Sequence, residues 1–469
     1  MVMEKKSSGS GRGPRISFRW QNFRSFKDTG CVDVRPITVF IGANSTGKTS
    51  LFLPLLLLKQ TLASKDRKIA LKTTGPIVDL GNYREMVFGH HTSDVMTFSI
   101  RFPHSEHEPS RKEAVNPQKA EPGSVSFEFS CGRQPHEIKL KRLLVKDTHG
   151  KTLIERKLLA SGGYSLHCPS GLNKKFAGAF RAAAPRHFIF SSPFEQIFKN
   201  LGSRKSKKVE FKFSITREEG KPPSVNPSLD YLLVMSRIES EIESLLNSVS
   251  YLGPLREYPQ RFYEASDEVP ESVGSRGEKT PEILQLRKDS EFRHSLTEWL
   301  RKFELAKNIQ CESLGRGVFA VRVTGKATAA EFDYADTGFG LSQLLPLIVQ
   351  GLHGERGSIL CVEQPEIHLN PKLQSMLANF FAAVARDRKF VIVETHSEHF
   401  LLRLRTLIAE KVLRPDQVAL YYVEKIGDHS EARRIIVGED GHIEPDNWPA
   451  GFFEDSMSES LHLATLQKS

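Results

Sequence analysis

The most specific chemistry in the sequence lies in Gly42-Ala43-Asn44-Ser45-Thr46-Gly47-Lys48-Thr49, a complete G-x-x-x-x-G-K-[ST]. Glycines at this spacing let backbone N–H groups curl around phosphates, the lysine reaches terminal phosphate oxygens, and the threonine hydroxyl can hold Mg²⁺. The expected phosphate-binding set is Gly42, Asn44, Ser45, Thr46, Gly47, Lys48, Thr49 and Ser50. Such a loop needs an acid at a strand end to orient metal and water, and Ile359-Leu360-Cys361-Val362-Glu363 supplies one. Glu363 is therefore the expected metal-side acid, with Thr49 as the other metal-side residue, since an acid buried there for structure alone would be expensive to neutralise. Upstream, Asp336-Thr337-Gly338-Phe339-Gly340-Leu341-Ser342-Gln343 is a glycine-rich turn opening an apolar helix expected over residues 344–352. Paired glycines and a serine at a helix start make a second anion-binding corner.

These residues must be carried by strands and helices in the right order. Ile16 to Trp20, Val32 to Val34 and Ile37 to Ile41 read as strands; the last runs into the glycine-rich loop and then an apolar segment long enough for a helix. Ile359 to Glu363 and Phe390 to Glu394 are continuous apolar runs ending in acids, as in strands buried on both faces. Between them Leu373, Met376, Leu377, Phe380, Phe381 and Val384 form one helical face, so the fold is α/β with a parallel sheet. Functional residues belong at the carboxyl ends of those strands.

The region between is different. Short β-like runs (Met96 to Phe102, Val125 to Phe129, Val209 to Ser214) are separated by Pro, Gly and charge clusters, and a helix is expected over Leu229 to Leu246. The expected organisation is a disordered lead-in (1–15), a first part carrying the phosphate loop (16–75), an inserted β-rich basic subdomain (76–228), a helical or lid region (229–317), a second part with the acid strands (318–425), and a small C-terminal extension (426–469).

Composition narrows the function. The chain has 469 residues, 66 Lys+Arg against 56 Asp+Glu, and 39% hydrophobic residues, enough for a substantial core. Its net +10 is local: residues 131–220 hold 19 Lys/Arg against 7 Asp/Glu, a net +12, densest at Arg204-Lys205-Ser206-Lys207-Lys208. A patch of that size could dock on the phosphate backbone of double-stranded DNA. The five scattered cysteines read as reduced thiols in a cytoplasmic protein, and no apolar run reaches the roughly 18–20 residues that span a bilayer. His90-His91 and the histidines at 104 and 107 lack zinc-ligand spacing, and no serine nucleophile elbow is present.

Taken together, the phosphate loop, the Gly338 to Gln343 turn, the acid strand with Gln364-Pro365-Glu366, and Glu394-Thr395-His396-Ser397 resemble ABC-type ATPase heads. The resemblance is to the RecF, SMC and OLD-like branch, with Asn22-Phe23-Arg24-Ser25-Phe26 similar to its N-terminal strand motif. More narrowly, Tyr251 to Pro259, Thr395 to His399 and Trp448 to Phe453 resemble bacterial ATPases that end in a short domain of unknown function. The resemblance implies ATP and Mg²⁺ as cofactors and a homodimer or higher oligomer with ATP sandwiched between protomers. It also implies Lys48, Thr49, Glu363 and Arg24 acting from one subunit, Ser342 and Gly340 closing from the other, and His396 as a switch histidine.

One position departs from the family pattern. Many relatives place a glutamate base after the metal acid; here it is Gln364, which accepts no proton, so Glu366 is expected to substitute or turnover to be slow. About 45 residues follow Glu424, too few for an OLD-type nuclease domain. The resemblance therefore implies an ATPase that switches an assembly in anti-phage defence or genome maintenance by holding or triggering a separate effector such as a nuclease or toxin. The competing readings are a DNA-engaging repair ATPase, an ATP-locked scaffold and, least favoured, a transporter subunit.

Overall fold

The computed structural model describes residues 16–102, 122–167, 187–189, 227–326 and 330–444. Two compact units are present, one comprising Asp33–Phe52 and the chain from Ser248, the other Ile16–Val32 and Leu53–Asn247.

The first unit is organised on a six-stranded sheet. Its strand order is Val249–Leu252, Ile359–Glu363, Phe390–Glu394, Ile37–Ile41, Val418–Ile426, His429–Ile435. The first five run parallel and the last closes an antiparallel hairpin. The strand Ile37–Ile41 is buried throughout, which explains why its sequence does not alternate. The helices Phe339–His353, Pro371–Arg386 and Glu398–Ala409 supply Leu344, Leu347, Phe380, Phe381, Phe400 and Leu404 to the same core as Val39, Val362 and Val393. Full burial of each such side chain stabilises by roughly 1.5–3 kcal/mol. Helix starts are fixed by side chains: Asn370 Oδ1 accepts from Leu373 N at 3.0 Å and Ser397 Oγ from Phe400 N at 3.0 Å. A four-stranded antiparallel sheet, with Val318–Thr324 at its centre, completes this unit.

The second unit is an antiparallel sheet in the order Phe26–Asp28, Ile16–Phe23, Met96–Arg101, Pro122–Cys131, Ile138–Asp147, Thr152–Leu158, Tyr164–His167. Its strands alternate, burying Phe98, Phe127 and Phe129 on one face, and the helices Leu53–Leu62 and Pro227–Asn247 belong to it.

The units part at Phe52/Leu53 and Asn247/Ser248, where the sequence suggests 75/76 and 228/229. A further division falls at Val32/Asp33, and pairing explains that one: Ile16–Phe23 lies against Met96–Arg101 (Trp20↔Phe98), so the first strand joins the β-rich part. The helix expected over Leu229 to Leu246 runs Pro227–Asn247, and the one expected from 344 begins at Phe339. The lead-in 1–15, the Val209 to Ser214 run, the Arg204 to Lys208 cluster and Trp448 to Phe453 lie outside the described residues. Among the described residues no helix is long and apolar enough to cross a membrane.

Candidate functional site

The carboxyl end of Ile37–Ile41 opens into the glycine-rich loop, which closes in a 3₁₀ turn over Lys48–Leu51. Gly47 stands at φ 91°, a left-handed conformation that favours glycine. At Gly42 the constraint is space: a Cβ there would lie 2.1 Å from the Val423 carbonyl oxygen. Lys48, 3% exposed, folds back on the loop, its Nζ donating to the carbonyls of Ala43 at 2.6 Å and Gly42 at 3.2 Å. Thr46 Oγ1 donates to the Ala43 carbonyl at 3.0 Å, while Asn44 and Ser45 are exposed at the tip and Ser50 is buried behind it.

Around Lys48 the structure gathers Glu394 from the end of one parallel strand and Glu366 from the turn after its neighbour. Thr49 Oγ1 donates to Glu394 Oε2 at 2.7 Å. Glu366 Oε1 accepts from the His396 backbone N–H at 2.6 Å, whereas Glu366 Oε2 and His396 Nε2 are buried without a hydrogen-bond partner. Burial holds both carboxyls above the ordinary range; Lys48 draws Glu394 back, as the His396 N–H does Glu366. Burial lowers the Lys48 ammonium, opposed by Glu394 and Glu366, and lowers His396, reinforced by Lys48. The result is a dense set of costly, half-satisfied groups.

Glu363 Oε1 accepts from the Tyr251 hydroxyl at 2.7 Å, and the carboxylate on the Thr49 hydroxyl is that of Glu394. Strand order is the cause: Phe390–Glu394 lies between the other two, pairing Glu394 with Phe40 on one side and Glu363 on the other. The Gln364 N–H donates to the Glu394 carbonyl at 2.8 Å with φ at 42°, so the turn after Glu363 is tied to the neighbouring strand.

The remaining expected residues belong to a helix start and to the second unit. Gly340 and Ser342 fall in the first turn of Phe339–His353, and Ser342 Oγ donates to the Phe339 carbonyl at 2.9 Å. Among the described residues no recorded side-chain hydrogen bond joins Ser342 to the phosphate loop. Arg24 is exposed in the other unit, in the turn between Ile16–Phe23 and Phe26–Asp28, its N–H donating to the Met86 carbonyl at 2.6 Å. Glu394 and Tyr251 are the residues that sequence reasoning missed as members of the site. Only the acid ending an apolar run next to His396 signalled the first.

The arrangement suits a magnesium nucleotide. Two buried polar atoms lack partners, Lys48 is held on loop carbonyls it can exchange for phosphate oxygens, and the hydroxyl of Thr49 sits beside a carboxylate. Among the described residues no group of three or more His, Cys, Asp or Glu side chains could hold a metal by itself. Mg²⁺ commonly takes few protein ligands and completes its shell with phosphate oxygens and water.

Residues 203–401 match the family described as AAA ATPase domain, and residues 413–463 the family described as protein of unknown function DUF3696. No protein with curated function matches the sequence. Among solved structures, an SmcHead bound to the C-winged helix domain of ScpA is similar at TM-score 0.40 and 11% identity, covering 95% of this chain and 100% of that one. The SMC head domain from Thermotoga maritima follows at TM-score 0.36 and 9% identity, with 90% and 100% covered. The Smc head domain with a coiled coil and joint from Pyrococcus yayanosii gives 0.41 and 9%, with 90% and 97% covered. The chain thus contains, over residues 203–401, a segment that matches an AAA ATPase domain and, behind it, a segment that matches a short domain of unknown function, in keeping with the resemblance of its motifs to RecF/SMC-like P-loop ATPases.

Proposed function

We propose that this chain binds ATP with Mg²⁺ at the Gly42 to Ser50 loop and hydrolyses it slowly to switch an assembly containing a second copy of itself. The observation that carries this reading is the convergence of Lys48, Thr49, Glu366, Glu394 and His396 at the carboxyl ends of adjacent parallel strands. Lys48 would bind terminal phosphate oxygens, while Thr49, with Glu394 on its hydroxyl and Glu363 nearby in register, would hold the metal side. Bound Mg²⁺ would supply charge neutralisation. Gln364 cannot take a proton from water; Glu366, with one oxygen unpartnered and its proton affinity raised by burial, can. His396 would read the occupancy of the site, and Ser342 and Gly340 of a second copy would complete it.

A nucleotide titration with turnover and mass measurement tests this directly. ATP should bind, promote self-association and be hydrolysed, all three weakened in Lys48→Ala; a wild-type protein that binds no ATP overturns the reading. The wider role we infer is cytoplasmic, in anti-phage defence or genome maintenance, with an effector protein as the switched partner. A DNA-engaging ATPase is favoured by one observation, the net +12 of residues 131–220. DNA binding that falls steeply with salt and is lost on neutralising Arg204 to Lys208 would select it.

A further inference from the structure

Beside the acids described above lies a cation the proposed chemistry has not used. Arg256 is 6% exposed, and its Nε and Nη1 are buried without a hydrogen-bond partner. It stands four residues beyond the strand Val249–Leu252, whose end pairs Leu252 with Val362, one residue short of Glu363. The intervening turn is pinned: Gly253 N donates to the Ser275 carbonyl and Glu257 N to the Arg276 carbonyl, both at 2.8 Å. A Cβ on Gly253 would lie 3.0 Å from the Tyr251 hydroxyl, which itself donates to Glu363. Tyr251 is tied to the phosphate loop as well, its ring 6.4 Å from that of Phe52, the residue closing the turn after Thr49. The loop thus delivers a guanidinium to the Tyr251–Glu363 end of the acid cluster and leaves it short of acceptors.

Two buried N–H groups on a fixed cation are costly to leave unmatched. The charge feels this: burial pushes the Arg256 guanidinium down to about 10, with Tyr251 and Glu363 only partly restoring it. Nε–H and the Nη1 N–H groups lie on different edges of the guanidinium, so a ligand offering several oxygens, such as a tetrahedral oxyanion, matches them better than a single carbonyl does. Glu363 already accepts from Tyr251, so the missing acceptor is best supplied by a ligand entering at the strand ends.

Resting on the nucleotide-binding reading, we propose that Arg256 is a second phosphate-reading cation of the site, taking a terminal phosphate group through its unpartnered N–H groups and so making the protein prefer ATP to ADP. The group could come from ATP itself or from free inorganic phosphate beside ADP; the chemistry recognised is the same. Arg256→Met keeps the bulk and removes the charge.

The test measures ATP and ADP affinity by titration, and the melting temperature without nucleotide, for wild type, Arg256→Met and Arg256→Lys in the full chain. Arg256→Met should lose ATP affinity by roughly 10- to 150-fold and ADP affinity by less than about twofold. Its ligand-free melting temperature should stay level or rise, because an unmatched buried charge has gone. Arg256→Lys should recover part of the preference. A merely structural arginine would instead lower the melting temperature and weaken both nucleotides alike, which would overturn the proposal. Adding inorganic phosphate with ADP separates the sources: tighter ADP binding in wild type but not in Arg256→Met assigns free phosphate to the same N–H groups, and no effect assigns them to ATP alone. If wild type binds ATP and Arg256→Met keeps the full preference, this proposal falls and the nucleotide reading stands; if wild type binds neither nucleotide, both fall.

Discussion

The two sheets handle charge in opposite ways. In the antiparallel sheet Arg142 reaches across strands to Glu155 at 2.7 Å and Glu128 at 3.0 Å, on a face where all three side chains keep contact with water. At the carboxyl end of the parallel sheet, Glu366, Glu394, Lys48 and Arg256 are all withdrawn from water, and several of their atoms lack partners. Antiparallel strands put polar side chains outside at every second residue, so charges there can pair cheaply. Parallel strands buried on both faces allow polar groups only at their ends, and groups kept there unsatisfied mark where a ligand completes the set.

The largest test of that contrast is Glu366→Gln. Turnover should fall by roughly 10²- to 10⁴-fold with ATP affinity little changed; full turnover would remove Glu366 from the chemistry. The same variant carries a pH signature. Burial raises the folded-state value of Glu366, so the stability it contributes is present below the unfolded value near 4.5 and is lost as pH rises through the raised one. The melting temperature of ligand-free Glu366→Gln should therefore gain on wild type as pH climbs from acid to neutral, and parallel curves would contradict the assigned burial.

Lys48→Ala comes next, with ATP affinity lower by roughly 10- to 150-fold in a fluorescent-nucleotide titration, since charge-assisted contacts of this kind contribute roughly 1.5–3 kcal/mol. Tyr251→Phe removes the donor to Glu363 and should cost about 1–3 kcal/mol in denaturant unfolding. The smallest change belongs to the other sheet. Arg142→Ala should alter stability by no more than about 1 kcal/mol, since a partly exposed ion pair contributes little. A larger loss there than in Tyr251→Phe would erase the difference between the two regions.

Much of this was legible beforehand, for physical reasons that also mark the limit. The phosphate loop announces itself because its chemistry is local, one strand, one turn and one helix in consecutive residues. The runs ending in Glu363 and Glu394 were readable as buried strands from their unbroken apolar character. What could not be read was which acid faces Thr49, because that depends on the order of strands in the sheet, and the strand from residue 390 inserts itself between the other two. Tyr251 and Arg256 escaped as functional groups because 112 positions separate Tyr251 from the carboxylate it meets. The early helix start at Phe339 was hidden by its glycines, which suggest a turn until packing of Leu341 and Leu344 decides otherwise.

The strand Val418–Ile426 falls inside the C-terminal segment of unknown function, yet it is the parallel neighbour of Ile37–Ile41, and its Val423 carbonyl is the atom that makes Gly42 a glycine. The family boundary at residue 413 consequently runs through a sheet rather than between domains. Cutting the chain there would strip the strand that feeds the phosphate loop of one flank and leave a long apolar edge open to other chains. The unassigned segment is better regarded as the wall against which the nucleotide loop is moulded.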